Sequence, residues 1–361
     1  MILLTPGPTP VPDAIVRAMA QPMLPHRGEE FGALLGRVRP RLSEVFRTAG
    51  PVVAFAGSGT SAMESALWSL ARPGDATCSL ACGRFGERWG ASLDRFAGLF
   101  GGGRARVHAP WGELTDLGAV AEALTPETSI VTVTQSETSA GAHTDLRAVV
   151  DVVRERAPGA LVVADVVTGV AAIELEMDAW GVDVCVAASQ KALMLPPGMG
   201  FVALGERAVE RLRTSDSACP ASMDLRWRLD AYENGTVANT PPVSLWYGLE
   251  RSLEMVLSEG LEARWARVRG LAERVRGELA SLGFTLAARA PVESVTAAFY
   301  PDGVDDSLRA VCAARGVTLA GGQDGWRGNL IRMSHMGAVD EAMTEAGLAA
   351  IREATHEAKR S

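Results

Sequence analysis

The sequence predicts an α/β fold, a mainly parallel sheet covered by helices on both faces and followed by a smaller α+β domain. Three observations carry this expectation. Short continuous apolar runs, rich in Val, Ile and Ala, alternate with amphipathic stretches through the first two thirds of the chain. Such runs suit strands buried on both faces, which is the condition of a parallel sheet. The texture changes after Pro241-Pro242, where long helical patterns give way to short strands mixed with helices. Finally, 361 residues allow about two domains with a sizeable core.

Taken in order, Thr5 to Pro12 is rich in Pro and Gly and reads as an extended arm. A helix is expected over Glu30–Arg47. Buried strands are expected at Pro51–Phe55, Ala76–Leu80, Ser129–Thr134, Ala160–Ala164 and Val182–Ala187. Helices are expected between them at Ser61–Ala71, Leu117–Leu124 and Leu146–Arg156. Beyond Pro242 come helices at Val243–Glu259 and Leu261–Leu282, then strands at Ser294–Tyr300 and Asn329–Met333. The second of these helices interleaves Arg and Glu, including Arg264 and Arg267, and reads as a solvated face. The expected division is an arm over 1–20, a large domain over 21–245 and a small domain over 246–361.

Hydrophobic residues make up 47% and charged residues 22%, ordinary values for a water-soluble globular chain. A net charge of −8 repels nucleic acid and anionic membrane surfaces, so neither is expected as a partner. The opening Met-Ile-Leu-Leu-Thr-Pro-Gly-Pro lacks a signal peptide's basic region, and no apolar run approaches the ~18 residues of a membrane span. The five cysteines have no framework or zinc spacing, so free thiols, no metal and a cytoplasmic location are expected.

The chemistry concentrates at strand ends. Lys191, in Ala188-Ser-Gln-Lys191, follows the run Val182–Ala187. An amine desolvated there would have a lowered pKa and serve as a nucleophile for a Schiff base; alone, it reads more readily as a surface lysine in a loop. Asp165 ends another buried run, 26 residues earlier, room for one crossover helix. A carboxylate there would suit the pyridine nitrogen of pyridoxal phosphate, and a helix N-cap is the plainer alternative. Gly57-Ser58-Gly59-Thr60 forms a strand-to-helix turn whose amides suit an anion, with Ser61 and Glu64 fitting a capping box. It lacks the full dinucleotide pattern, since Ala62 follows. Thr138, in Gln135-Ser-Glu-Thr-Ser-Ala-Gly141, offers a hydroxyl for a ring oxygen or simply a polar turn.

In this order, these blocks resemble the class V aminotransferases of pyridoxal-phosphate fold type I, of the alanine–glyoxylate, serine–pyruvate and serine–glyoxylate kind. The resemblance covers nearly the whole chain. It begins at Thr5-Pro-Gly-Pro-Thr-Pro-Val-Pro12 and His26-Arg-Gly-Glu-Glu-Phe31, and runs through the blocks above to Asn329-Leu-Ile-Arg332-Met-Ser-His-Met-Gly337. It implies a large domain with a mainly parallel seven-stranded sheet, pyridoxal 5'-phosphate as cofactor, and a homodimer whose site is completed in trans.

It also implies roles. Lys191 would carry the cofactor and move the proton at the substrate carbon, and Asp165 would hold the ring nitrogen. Ser58, Gly59, Thr60 and Gln190 would bind the phosphate, and Thr138 the ring oxygen. Phe85, in Gly83-Arg-Phe-Gly-Glu-Arg88, stands where relatives stack an aromatic ring, although core packing explains it as well. Thr240 would reach the neighbouring subunit's phosphate, while Arg332 would grip the substrate carboxylate and Gly7 would line the substrate side. Two departures stand out: Val237 replaces a Tyr found in some relatives, and Val166 takes a position where a hydroxyl is commoner.

The expected reaction is amino transfer between a small amino acid and a small 2-oxo acid. Other pyridoxal-phosphate reactions on the same scaffold, a lyase or an aminoethylphosphonate-type transamination, are the runner-up. A non-catalytic binder would have no need of Lys191, Asp165 and Arg332 together.

Overall fold

The computed structural model describes residues 1–214 and 219–360. Strand β1 (Ile2–Leu3) leads into helices α1 (Asp13–Met19) and α2 (Glu29–Phe46). Next come β2 (Val52–Ala56), α3 (Gly59–Leu70), β3 (Gly74–Ala81), α4 (Arg84–Phe100) and β4 (Gly102–His108). They are followed by α5 (Leu117–Ala123), β5 (Thr128–Thr134), the small hairpin β6 (Ser136–Glu137) and β7 (Ala142–His143), and α6 (Leu146–Arg156). Then come β8 (Leu161–Asp165), β9 (Val184–Ala188), β10 (Met199–Leu204), α7 (Glu206–Arg213) and α8 (Leu225–Glu233). The last stretch holds α9 (Val243–Glu259), α10 (Leu261–Ser281), β11 (Thr285–Leu286), β12 (Val295–Phe299) and α11 (Ser307–Ala314). It finishes with β13 (Val317–Thr318), β14 (Ala320–Gly321), β15 (Leu330–Ser334) and α12 (Glu341–Ala358).

Seven strands form the main sheet in the order β2-β10-β9-β8-β5-β3-β4. All run the same way except β10, which is antiparallel to β9 and β2. The continuous apolar runs are explained by their alternate residues. Val162, Ala164, Cys185 and Ala187 enter one core with α2, α6 and α9, whereas Leu161, Val163, Val184 and Val186 enter another with α3, α4, α7 and α8. With helices on both faces, neither face of a central strand needs polar residues. Strands β4 and β10 escaped the sequence reading. The first is an exposed edge strand carrying Arg104 and Arg106, and the second is preceded by Pro196-Pro-Gly198.

A second, antiparallel sheet, β11-β12-β15-β14, packs on the later part of α10 and on α11 and α12 around a separate core. The chain start, expected as an extended arm and not as a packed element, is partly packed. Strand β1 pairs parallel with β13, Leu4 is buried in the core of the second sheet, and residues 13–19 form a helix against α9. The expected division at residue 245 falls inside α9, whose Trp246, Leu249 and Leu253 lie in the core of the main sheet.

The charged face of α10 also departs from expectation. Arg264 is buried, with Nε donating to the Ala171 carbonyl at 2.8 Å and Nη2 to those of Ala192 and Gly337 at 3.0 Å each. Its Nη1 bonds Glu259 at 2.7 Å, so the charge and all these donors are satisfied. Helical spacing alone cannot separate such a hub from a solvated arginine.

Candidate active site

The carboxyl ends of β2, β3, β5, β8 and β9 deliver eight of the expected residues to one cavity, while Gly7, Thr240 and Arg332 are not in its lining. Its lining includes Ser58, Gly59, Thr60, Phe85, Thr138, Asp165, Gln190 and Lys191, joined by Arg88, Ser136 and Thr168. Open α/β sheets gather ligands at this edge because loops and helix N-termini converge there.

Lys191 sits in the turn after β9. Its Nζ donates to the Pro6 carbonyl at 2.8 Å. Burial lowers its pKa to about 8, with Asp165 acting against the shift and Arg332 adding to it. The Pro-rich start of the chain closes over this amine. Thr9 donates from its amide to the Gln190 carbonyl at 3.1 Å and from its hydroxyl to the Lys191 carbonyl at 2.7 Å. Gly7, at φ 151°, lies so near that a Cβ there would stand 2.2 Å from Nζ. Gly7 is therefore a steric requirement of the site.

Asp165 ends β8, opposite Thr134 and Val186. It starts no helix; its Oδ1 accepts the Val167 amide at 2.9 Å. Burial pushes its carboxyl up, against the Val167 amide, the Trp89 indole and the charges of Lys191 and Arg88. A pyridinium beside it would supply the missing positive partner and favour the carboxylate. Val166 is wholly buried in the core, so that position offers no contact to the cavity. A nearby hydroxyl comes instead from Thr168, which lines the cavity and donates to the Ser136 carbonyl at 3.0 Å.

Helix α3 begins earlier than expected, with Ser58 as N-cap and Ser61 as its reciprocal partner. Ser58 Oγ accepts the Ser61 amide at 3.2 Å. The amides of Gly59 and Thr60 have no protein acceptor among the described residues. Two orphan donors at the positive end of a helix are what a phosphate requires. The amine, the buried carboxylate and these amides thus fit the three reactive parts of pyridoxal phosphate.

Phe85 is held by a residue that sequence reasoning passed over. Glu137 is fully buried and accepts the amides of Phe85 and Gly86 at 2.8 and 3.0 Å with Oε2. Its Oε1 accepts the Ser139 hydroxyl at 2.6 Å. Burial raises its pKa against these donors. It thereby fixes the first turn of α4, and Gly83 leaves the room, since a Cβ there would meet Glu137 Cγ at 2.4 Å. Its place between Gln135 and Thr138 in a polar turn was the only available signal.

Arg332 projects from the middle of β15. Its Nε donates to the Gly321 carbonyl at 2.8 Å and its Nη1 to that of Thr138 at 2.9 Å. Burial lowers its pKa to about 10, so it stays charged at neutral pH. Nη2 has no protein partner among the described residues.

Thr240 stands apart. It is exposed and lines a separate groove with Arg39, Phe55, Arg228 and Tyr232. Val237 packs partly buried against the main core. Among the described residues no three His, Cys, Asp or Glu side chains are grouped to hold a metal, and no helix is long and apolar enough to cross a membrane.

The model of the family described as Aminotransferase class-V matches residues 2–342. The L-aspartate–glyoxylate aminotransferase of Paracoccus denitrificans is 32% identical over 358 residues, covering 96% of this chain and 89% of that protein. The serine–glyoxylate aminotransferase of Arabidopsis thaliana is 31% identical over 361 residues, covering 97% and 88%. The crystal structure of a subgroup IV aspartate aminotransferase from Thermus thermophilus is 34% identical, with a TM-score of 0.92, covering 99% of both chains.

Proposed function

The chain belongs to the class-V aminotransferases, and from that premise we propose that it moves an amino group from a small amino acid of the alanine or serine type to a 2-oxo acid of the glyoxylate or pyruvate type. The enzyme is a pyridoxal-phosphate-dependent transaminase that exchanges amino acids and 2-oxo acids. When bound, the cofactor supplies an electron sink for the charge left on the substrate carbon once its proton is removed.

The residues divide the remaining work. Lys191 holds the cofactor and, as a low-pKa amine, takes and returns the proton at the substrate carbon. Asp165 keeps the ring nitrogen protonated. Ser58, Gly59, Thr60 and Gln190 bind the phosphate, Thr138 meets the ring oxygen and Phe85 stacks on the ring. Arg332 binds the substrate α-carboxylate. One observation carries the reading: a buried guanidinium with an unpartnered Nη2 stands close enough to Lys191 for its charge to depress that amine. Every amino donor and oxo-acid acceptor of this class brings a carboxylate to such a site. The roof of Pro6 and Gly7 over Nζ favours small substrates.

Borohydride reduction followed by peptide mapping tests the attachment at Lys191, and a screen of donors for loss of the cofactor's absorption band tests the substrates. A label elsewhere, or no response to alanine or serine, would rule the reading out. An aspartate donor is the second reading. Arg84, paired with Asp324, lies close enough to Arg332 for its charge to be felt there. Aspartate outpacing both alanine and serine would select it.

The assembly we propose is a homodimer, with Thr240 reaching the partner's phosphate. Its exposure outside its own chain's cavity supports this, as do the exposed apolar side chains of Val16, Met23 and Trp227. Full activity in a sedimenting monomer would exclude it. A cytoplasmic location is consistent with the buried thiols of Cys78, Cys82, Cys185 and Cys312, none of which is in a disulfide.

A further inference from the structure

We propose that Arg88 is a positioning residue for the cofactor phosphate, acting through the hydroxyl of Thr60. The inference rests on the placement of that phosphate at the start of α3. Arg88 lies on α4, one turn beyond Phe85, and lines the cavity shared by Lys191, Asp165 and Thr60. Its Nη1 donates to Thr60 Oγ1 at 3.2 Å. Its guanidinium carbon stands 5.0 Å from the centre of the Phe85 ring, a stacking distance that steers the side chain towards α3.

Two consequences follow from elementary hydrogen bonding. A hydroxyl has one proton and two lone pairs, and an arginine can only donate. With one lone pair of Thr60 occupied by Arg88, the hydroxyl proton must point elsewhere. That leaves Thr60 as an oriented donor beside the orphan amides of Gly59 and Thr60. The charge matters as well. No acid is paired with Arg88 among the described residues, and the carboxylate lining this cavity is Asp165, whose own task is at the ring nitrogen. A half-buried cation beside two free amides has a dianion as its natural counterpart. Arg88 therefore supplies a full charge that backbone amides and hydroxyls lack.

The test separates phosphate recognition from everything else Arg88 touches. Pyridoxal has the same ring and aldehyde as the cofactor but no phosphate. Both ligands are titrated into the apoprotein by absorbance, and the ratio of their dissociation constants is read for wild type, Arg88→Met, Arg88→Lys and Thr60→Val. Any effect through Phe85, Asp165 or general folding acts on both ligands and cancels. The expectation is that Arg88→Met weakens pyridoxal phosphate by about 10- to 100-fold and pyridoxal by less than about 2-fold, the range for a hydrogen bond to a charged group. Arg88→Lys should recover part of the loss, and Arg88→Met should cost less once Thr60 is Val, the remainder being the loss of its charge. Equal weakening of both ligands by Arg88→Met, or no change in either, overturns the inference. If Thr60→Val alone lowers the ratio, the phosphate placement stands and only the role of Arg88 fails. If neither substitution moves the ratio, the placement fails with it.

Discussion

The carboxylate of Glu137 accepts the amide of Phe85 at 2.8 Å, tying the turn that follows β5 to the first turn of α4. One buried acid thus spans two of the strand ends that build the cavity. It also neighbours Thr138, whose carbonyl receives Arg332. Glu137→Gln keeps the shape but replaces one accepting oxygen with a donor that faces backbone N–H groups. Stability to urea should fall by roughly 1–3 kcal/mol, the cost of an unsatisfied buried donor. The visible circular dichroism of the bound cofactor should weaken as Phe85 loses its anchor. A variant native in both properties would mean that α4 is positioned without Glu137.

Lys191 gives a pH prediction with a definite sign. Burial lowers its pKa from the ordinary lysine value of 10.5 to about 8, and the neutral amine is the form that reacts. Capture of pyridoxal phosphate by the apoprotein should accelerate with rising pH and level off above about 8. The folded chain disfavours the charged amine, so stability is diminished below about 8. Between about 8 and 10.5 the unfolded state binds more protons, so this contribution to stability rises with pH. Stopped-flow absorbance from pH 6 to 10 measures the capture rate; a midpoint near that of an ordinary lysine contradicts the burial seen here.

Gly7→Ala tests how closely the chain start roofs the amine. The added carbon would fall 2.2 Å from Nζ, at a backbone angle that side chains rarely adopt. Either the roof lifts or Lys191 turns away, at a cost of roughly 1–3 kcal/mol for overpacking. Bound cofactor per chain, read from absorbance, should drop while the rest of the fold persists by far-ultraviolet circular dichroism. Full occupancy with native kinetics would show the roof to be dispensable.

Much of this was legible in the sequence because the site is built from short contiguous blocks at strand ends. Asp165 ends a buried strand, and Lys191 and the start of the Ser58–Thr60 turn come within three residues of one, so locating the strand locates the residue. What escaped depends on contacts between distant segments. Glu137 gains its role only because α4 begins beside it, and Arg88 gains its own only because α4 lies next to α3. Arg264 was misread for the same reason, since its partners are carbonyls of Ala171, Ala192 and Gly337, far away in the chain. The start of α3 was misplaced because serines at positions 58 and 61 both suit an N-cap, and only the backbone decides between them.

Asp165→Asn retains size and loses charge. The phosphate cup is untouched, so the cofactor should still bind. Without a carboxylate, the ring nitrogen is no longer held protonated, and proton removal from the substrate carbon should slow by orders of magnitude. The deuterium isotope effect on turnover should rise as that step becomes limiting. Near-native turnover in Asp165→Asn would place the ring elsewhere in the cavity.

Arg332 provides the test of the proposed substrate class. The structural alternative, an ion pair with a carboxylate between the two sheets, finds no support among the described residues. The guanidinium is held by the carbonyls of Gly321 and Thr138, and Glu137 acts on it only through its charge. Those two bonds aim the side chain and leave Nη2 for a ligand. Arg332→Lys keeps the charge but cannot hold both carbonyls and a carboxylate at once. The loss towards substrate should be roughly 1.5–3 kcal/mol, the value of a hydrogen bond to a charged group. It should raise KM for the amino acid and for the oxo acid alike, because both present the same α-carboxylate. Cofactor affinity should stay near native. The melting temperature should fall only slightly, since one neutral carbonyl contact is worth roughly 0.5–1.5 kcal/mol. A large drop in melting temperature with unchanged KM would make Arg332 a structural strut. If amines without a carboxylate prove the best donors, the site serves another class of substrate, and the guanidinium has been assigned the wrong partner.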